Sequence, residues 1–324
     1  IVEPGAIEGW RWGPFESAQM PAPAAQGAQA ALDWLANAHA DDGSLNASIG
    51  GTVESLLLLS ANGLSAGDWP PGNERASVEE YVQANAAAFA RLGPAESGKL
   101  AAGLAAIAAC WPEGALRPVT YYDEALGAYS RETGFHLWAL LGAQALGDTV
   151  PAAAVQSVLE RAQPDGGWEW SAGWGTDTNT TALAVQALRA AGLPTDDPAI
   201  QAAVEFLRTA QAADGGFVYD PASAESGSDI NSTAYAIQAL IAAGEDPASA
   251  AWRVEGISPL DYLLNAQLAD GSFEWQPGTG VNPLSTQQAA TALLGATFPM
   301  GPQAGLADCL PVGWPTWFEA LMRM

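Results

Sequence analysis

Three stretches decide the reading: VLERAQPDGGWEW at residues 158–170, FLRTAQAADGGFVY at 206–219 and YLLNAQLADGSFEW at 262–275. Each is followed by a second shared block, TDTNTTALAVQALRAAG from Thr176, SDINSTAYAIQALIAAG from Ser228 and NPLSTQQAATALLGA from Asn282. The Asp-Gly pairs at Asp165, Asp214 and Asp270 lie 49 and 56 residues apart, a period that fits one helix, a loop and a second helix. Apolar residues recur at helical spacing in the first block, which stops where Gly supplies the positive φ that ends a helix. In the second block a Ser, Thr, Asp or Asn opens the helix as an N-cap. That second helix is apolar and small-sided almost throughout, so it is buried on most faces, while the first carries Glu and Arg. The first helices therefore form an outer layer and the second an inner one.

Working outward, a weaker copy reads WLANAHADDGSL from Trp34 and GTVESLLLLSANG from Gly51. Degenerate helices are expected near residues 78–91 and 97–109, then near 123–129 and 131–146. The sum is an all-α fold, an α/α toroid of about six helical hairpins with inner and outer helix rings. A closed ring is favoured over an open solenoid by the small residues of the inner helices and by the absence of a polar terminal cap. The boundaries read as an N-terminal extension over 1–27, the repeat domain over 28–297 and a C-terminal tail over 298–324.

Composition narrows the function classes. With 49% hydrophobic residues in 324, the chain can bury a large core. Its 36 acidic and 11 basic residues, net charge −25, repel nucleic acid and anionic membrane surfaces. The longest apolar run, residues 100–111, is short of the roughly 20 residues a membrane span requires. The chain opens at Ile1 without Met, which points to a removed leader and to an extracellular or cell-surface location. Two cysteines, Cys110 and Cys309, either form one disulfide or stay as buried thiols. With His39 and His136 they make no zinc-like spacing, and no cofactor is expected.

The Q-x-x-D-G-G-[WF] element at Gln163 (one residue shorter), Gln211 and Gln267 resembles the glutamine–tryptophan repeats of squalene and hopene cyclases. The chain is similar to the prenyltransferase/squalene-cyclase repeat superfamily. Its D-x-N-[ST]-T-A form looks most like bacterial surface-protein members and the helical domain of cobalamin carriers. The resemblance implies the toroid but not one activity. Class II cyclases of the superfamily share a D-x-D-D-T-A block whose middle carboxylic acid protonates an alkene or epoxide. Here the block reads Asp177-Thr178-Asn179-Thr180-Thr181-Ala182, with Asn179 in the acid's place, and Asp229-Ile230-Asn231-Ser232-Thr233-Ala234 repeats the replacement. Neither cysteine stands in a prenyltransferase-like zinc block or a thioester motif, and no β domain for cobalamin is visible.

Two readings compete at most of these residues. Asp177, Asn179, Asp229 and Asn231 are helix caps or weak calcium ligands. Trp168, Phe217 and Phe273 wedge neighbouring hairpins, whereas Trp170, Trp174, Tyr219 and Trp275 are candidates for stacking a ligand at the rim of the ring. Trp314 and Trp317 in the tail are candidates for docking a partner. His39 and His136 read as structural. Asn46, Asn179 and Asn231 open glycosylation triplets that coincide with loops and caps. Asp123 with Glu124 or Glu132 is the pair a glycosidase would use. On these grounds the expected function is a non-catalytic exported or cell-surface scaffold or binding module, with a protein partner or self-assembly into an extracellular filament. The alternatives are a terpenoid-cyclase-like enzyme with a degenerate acid motif, and a carbohydrate-binding or carbohydrate-active toroid. A small apolar or glycan ligand suits either.

Overall fold

A computed structural model describes residues 21–71, 75–223 and 227–300. The chain runs from α1 (Ala22–Ala38) to α2 (Ile49–Ala61) and from α3 (Val78–Ala90) to α4 (Pro94–Ala106), then to α5 (Thr133–Ala145). Three further hairpins follow: α6 (Ala152–Glu160) with α7 (Thr178–Ala190), α8 (Pro198–Ala210) with α9 (Ile230–Ala242), and α10 (Pro259–Ala266) with α11 (Pro283–Leu293). The inner helices touch in the order α2, α4, α5, α7, α9, α11, and α11 packs back on α2. The ring is therefore closed, as an α/α toroid requires. Its first outer helix begins at Ala22, ahead of the boundary read at residue 28.

One expected helix is missing. Before α5 the outer layer holds only a 3-10 turn at Pro118–Tyr121, not a helix over 123–129. The Asp123 carboxylate accepts the N–H groups of Ala125 and Leu126, and Gly127 N–H returns to Asp123 O at 2.8 Å. That side chain gives the backbone a turn in place of a helix.

The repeated letters act as stitches. The amide N–H of each wedge aromatic donates to an inner-helix hydroxyl: Trp168 to Thr181 (2.9 Å), Phe217 to Thr233 (2.9 Å) and Phe273 to Thr286 (3.0 Å). All three aromatic side chains are fully buried. Gln211 Nε2 donates to Trp252 O (2.9 Å) in the following hairpin, and Gln267 Nε2 donates to Gly27 O (2.8 Å), which ties the last hairpin to the first. A Cβ on Gly271 would lie 2.2 Å from Ala30 O, so this glycine is required by close approach at the same seam. Between α4 and α5 the backbones meet through Gly98 and Gly142, where a Cβ would come within 2.1 Å and 2.3 Å of facing carbonyl oxygens.

The ring has one open end. After α11 the chain turns inward, burying Phe298 and Met300. Phe298 N–H donates to Gln186 Oε1 (2.7 Å), and its ring lies 5.2 Å from Trp138 and 6.4 Å from Tyr235. Residues 298–300, read as the start of the tail, thus belong to the core and stopper the C-terminal ends of the inner helices. Cys110 is disulfide-bonded, while Cys309, Trp314 and Trp317 lie outside the described residues.

Candidate functional site

The open end is formed by the N-termini of the inner helices. On a helix, positions i, i+4 and i+7 share a face, so the second, sixth and ninth residues of each inner helix point into the lumen. The contacts across the lumen confirm the register. Asn231, second in α9, donates through Nδ2 to Gln288 Oε1 (2.5 Å), sixth in α11. Gln288 Nε2 donates to Glu54 Oε1 (3.0 Å), Glu54 Oε2 lies 2.8 Å from Lys99 Nζ, and that ammonium sits 5.5 Å from the centre of the Trp138 ring. Glu54, Lys99, Trp138, Leu183, Tyr235 and Gln288 are each sixth in their inner helix. They make one belt across the lumen: a charged and amide half, and an apolar half of Trp138, Leu183 and Tyr235. Glu54 is 4% exposed, so its charge is tolerated there only through Lys99 and Gln288. Burial raises the Tyr235 phenol well above its ordinary value, and the Glu54 charge adds to this.

Above the belt lies the mouth. Its second-position residues include Asn179 and Asn231 beside Gly50, Ala95 and Gly134. The Trp170 indole covers Gly134, where a Cβ would be 2.2 Å from the ring, and meets Phe135 edge to face at 5.8 Å. Asn231 Oδ1 accepts the Ser285 hydroxyl (2.7 Å). Asn179 Oδ1 is buried and has no hydrogen-bond partner.

Asp177 and Asp229 are the caps of α7 and α9. Asp177 takes Thr180 N–H (2.7 Å) and the Thr180 hydroxyl (2.7 Å), and Asp229 takes Ser232 N–H (2.8 Å) and hydroxyl (2.7 Å). Side-chain hydrogen bonds from Tyr219 to Asp177 and from Trp275 to Asp229 complete them. Burial raises both carboxyl pKa values above the usual range, and these hydrogen bonds pull the other way. Tyr219 is pushed up to about 12, first by burial and then by the Asp177 charge.

The rim aromatics also work through their backbones. Trp170 O accepts Gly134 N–H (3.1 Å), Tyr219 O accepts Thr178 N–H (2.9 Å) and Trp275 O accepts Ile230 N–H (3.0 Å). Each loop thereby caps the inner helix of the preceding hairpin. Tyr219 and Trp275 remain 44% and 42% exposed, and Trp174, at a loop tip whose Gly173 and Gly175 amides are held by the Glu169 carboxylate, is 75% exposed. Among the described residues no three His, Cys, Asp or Glu side chains are placed to hold a metal ion. No described helix is long and apolar enough to cross a membrane.

Both histidines are locked in structure. His39 bonds Leu35 O (2.8 Å) and Ser55 Oγ (3.1 Å). His136 Nδ1 accepts Tyr129 N–H (3.2 Å) and Nε2 meets Ala154 O (2.9 Å). Burial lowers the pKa of each, that of His136 to about 4. Away from the mouth, a groove of ≈ 560 Å³ between the ends of α5, α6 and α7 is lined by Val150, Val155, Leu159 and Pro299. Its one carboxylate, Asp148, is ion-paired with Arg117 at 2.6 Å, so it offers no reactive group.

Sequence reasoning missed the belt. Its one available signal was a charged, amide or aromatic residue at the same position in otherwise apolar inner helices, as in GTVESLLLL around Glu54 and FHLWALL around Trp138.

Residues 122–283 match the family described as squalene-hopene cyclase C-terminal domain. Drimenyl diphosphate synthase of Streptantibioticus cattleyicolor is 34% identical over 170 residues, 48% of this chain but only 30% of that protein. The type II terpene cyclase MstE from Scytonema covers 84% of this chain, and this chain 97% of it, with TM-score 0.57 and 14% identity. A glycosidase in complex with glucose gives TM-score 0.58 and 14% identity over 84% of this chain and 96% of its own. At such identities the structural likeness is one of fold. The family and sequence matches overturn the expectation of a non-catalytic, extracellular structural or binding module, for both are with cyclases. That expectation gave a single letter, Asn179, more weight than the Gln, Asp-Gly and aromatic stitches that build the cyclase ring. A protein partner or filament has no support in them.

Proposed function

The chain belongs to the squalene-hopene cyclase C-terminal domain family, and from that premise we propose a terpenoid-cyclase-type enzyme that receives a linear isoprenoid at the mouth of the inner ring. The observation that carries the reading is the mouth itself. Asn179 stands in the position of the family's acid, above a floor whose apolar half is Trp138, Leu183 and Tyr235. An apolar chain would lie over that half, which Phe298 packs against from below, so substrate enters and leaves on one side.

An amide cannot donate a proton as a carboxylic acid does. Asp177, two residues earlier, is the nearest carboxyl along the chain, and burial raises its pKa. The disulfide at Cys110 supports an oxidising compartment.

The test is incubation of the full chain with squalene, geranylgeraniol and geranylgeranyl diphosphate, with cyclic products read by gas chromatography and mass spectrometry. The wild type should turn over slowly, and Asn179→Asp, which returns a carboxyl to the acid's place, should raise the rate by about 10²-fold, the lower range of acid catalysis. Asp177→Asn should abolish wild-type turnover. Failure of both the wild type and Asn179→Asp to bind or convert any of the three would sink the reading.

A further inference from the structure

We infer that the end of the isoprenoid seated at Asn179 carries a neutral hydroxyl, not a diphosphate, which makes the substrate an allylic alcohol; this rests on the isoprenoid reading above.

The argument begins with the internal repeat. Asn179 and Asn231 are both second in their inner helices, and both side chains face the lumen. Asn231 Oδ1 accepts the hydroxyl of Ser285, the third residue of α11. The residue equivalent to Ser285 on the neighbour of Asn179 is Ser232, third in α9. Ser232 cannot serve both, because the cap of α9 is Asp229, whose carboxylate takes the Ser232 hydroxyl at 2.7 Å. The cap of α11 is the amide Asn282, which takes only backbone N–H groups, and so leaves Ser285 free to cross to Asn231. Asn179 Oδ1 is consequently a buried acceptor without a donor, at a position where the adjacent repeat uses a hydroxyl. Such an acceptor is costly unless something donates to it, and an alcohol O–H is the donor the repeat already employs.

The lumen charges disfavour the diphosphate. The second, sixth and ninth residues of the inner helices include a single cation, Lys99. Its ammonium is already spent on Glu54 at 2.8 Å and on the Trp138 face. Two buried carboxyls, Asp177 and Asp229, cap the helices at this end, in a chain of net charge −25. A multiply charged anion brought here would find only helix N-termini and no free cation at these lumen positions, and would face the two carboxyls.

The chemistry is consistent with an amide in the acid's place. Protonating an alcohol oxygen demands a far weaker acid than protonating an alkene carbon.

The experiment titrates the full chain with geranylgeraniol, geranylgeranyl diphosphate and the corresponding hydrocarbon lacking the hydroxyl, read by tryptophan fluorescence. The alcohol should bind at least about 10-fold more tightly than either, the factor expected of one buried hydrogen bond. Asn179→Leu should abolish the preference for alcohol over hydrocarbon without weakening the hydrocarbon. Asn179→Asp, which keeps an acceptor and preserves the cap, should retain the preference and serves if the leucine variant does not fold. Diphosphate binding as tightly as alcohol, or a preference unchanged in Asn179→Leu, overturns the head-group assignment while leaving the isoprenoid reading standing. Binding of none of the three removes both.

Discussion

His136 shows how a single buried side chain sets a pH limit. Its ring is fully buried, accepts Tyr129 N–H and donates to Ala154 O, an arrangement that requires the neutral imidazole. Burial lowers its pKa from 6.5 to about 4. A depressed histidine pKa means that the unfolded chain takes up the proton first, so native stability is full above pH 6.5 and falls as the pH drops toward about 4. The full shift corresponds to an upper bound on the order of 3 kcal/mol. Asp177 and Asp229 oppose it, because a raised carboxyl pKa makes the native state protonate first and gain stability on acidification. The contribution of His136 is isolated by comparing wild type with His136→Gln in urea melts at several pH values. The wild type should lose stability between pH 6.5 and 4 more steeply than the variant, and parallel curves would refute the assignment. Nothing in the sequence marks His136 for this role, since its two partners come from residues 7 before and 18 after it in chain order.

At the scale of the element, the hairpin is held by a cap and a hydroxyl that recur in successive copies. Replacing Thr233 by Val keeps the shape but leaves the buried Phe217 N–H without its acceptor, at a cost of about 1–3 kcal/mol. Asp229→Ala removes the cap of α9 and should cost about 1–2 kcal/mol. The two sit on one helix end and share Asp229 O, which accepts the Thr233 hydroxyl at 2.8 Å. Their combined effect in chemical denaturation should therefore fall short of the sum. These elements were legible because cap, turn glycine and wedge aromatic are local signals repeated at one period. The 3-10 turn at Pro118–Tyr121 was not, because a degenerate copy was assigned a helix by analogy although Asp123 offered the backbone a competing turn. The polar belt was not legible either: Glu54, Lys99 and Gln288 become neighbours only after the ring closes, and helical periodicity gives each helix a face but not its facing partners.

Closure is the property of the whole molecule, and it is concentrated in one seam. Gln267 reaches Gly27, Gln287 Nε2 reaches Gly51 O (3.0 Å) and Ser55 Oγ (2.7 Å), and Gln288 reaches Glu54, each across more than 230 residues of chain. Gly271 brings the last Asp-Gly turn against Ala30 with φ at 92°. Gly280, later in the same connection between α10 and α11, has a similar φ of 84° but nothing within 4 Å of an added Cβ. Alanine at either position meets the same backbone strain, about 1 kcal/mol or more for a left-handed residue. Only at 271 does it also force the two ends of the ring apart. Gly271→Ala should therefore destabilise by roughly 2 kcal/mol more than Gly280→Ala, in the range of an overpacked core site. The loss should be local as well as global. Hydrogen exchange should quicken first in α1, α2 and α11, which form the seam, while α5 and α7 on the far side keep their protection. Equal destabilisation by the two alanines, or uniform loss of protection around the ring, would mean that closure is shared by all hairpins and that the seam has no special place in holding the toroid together.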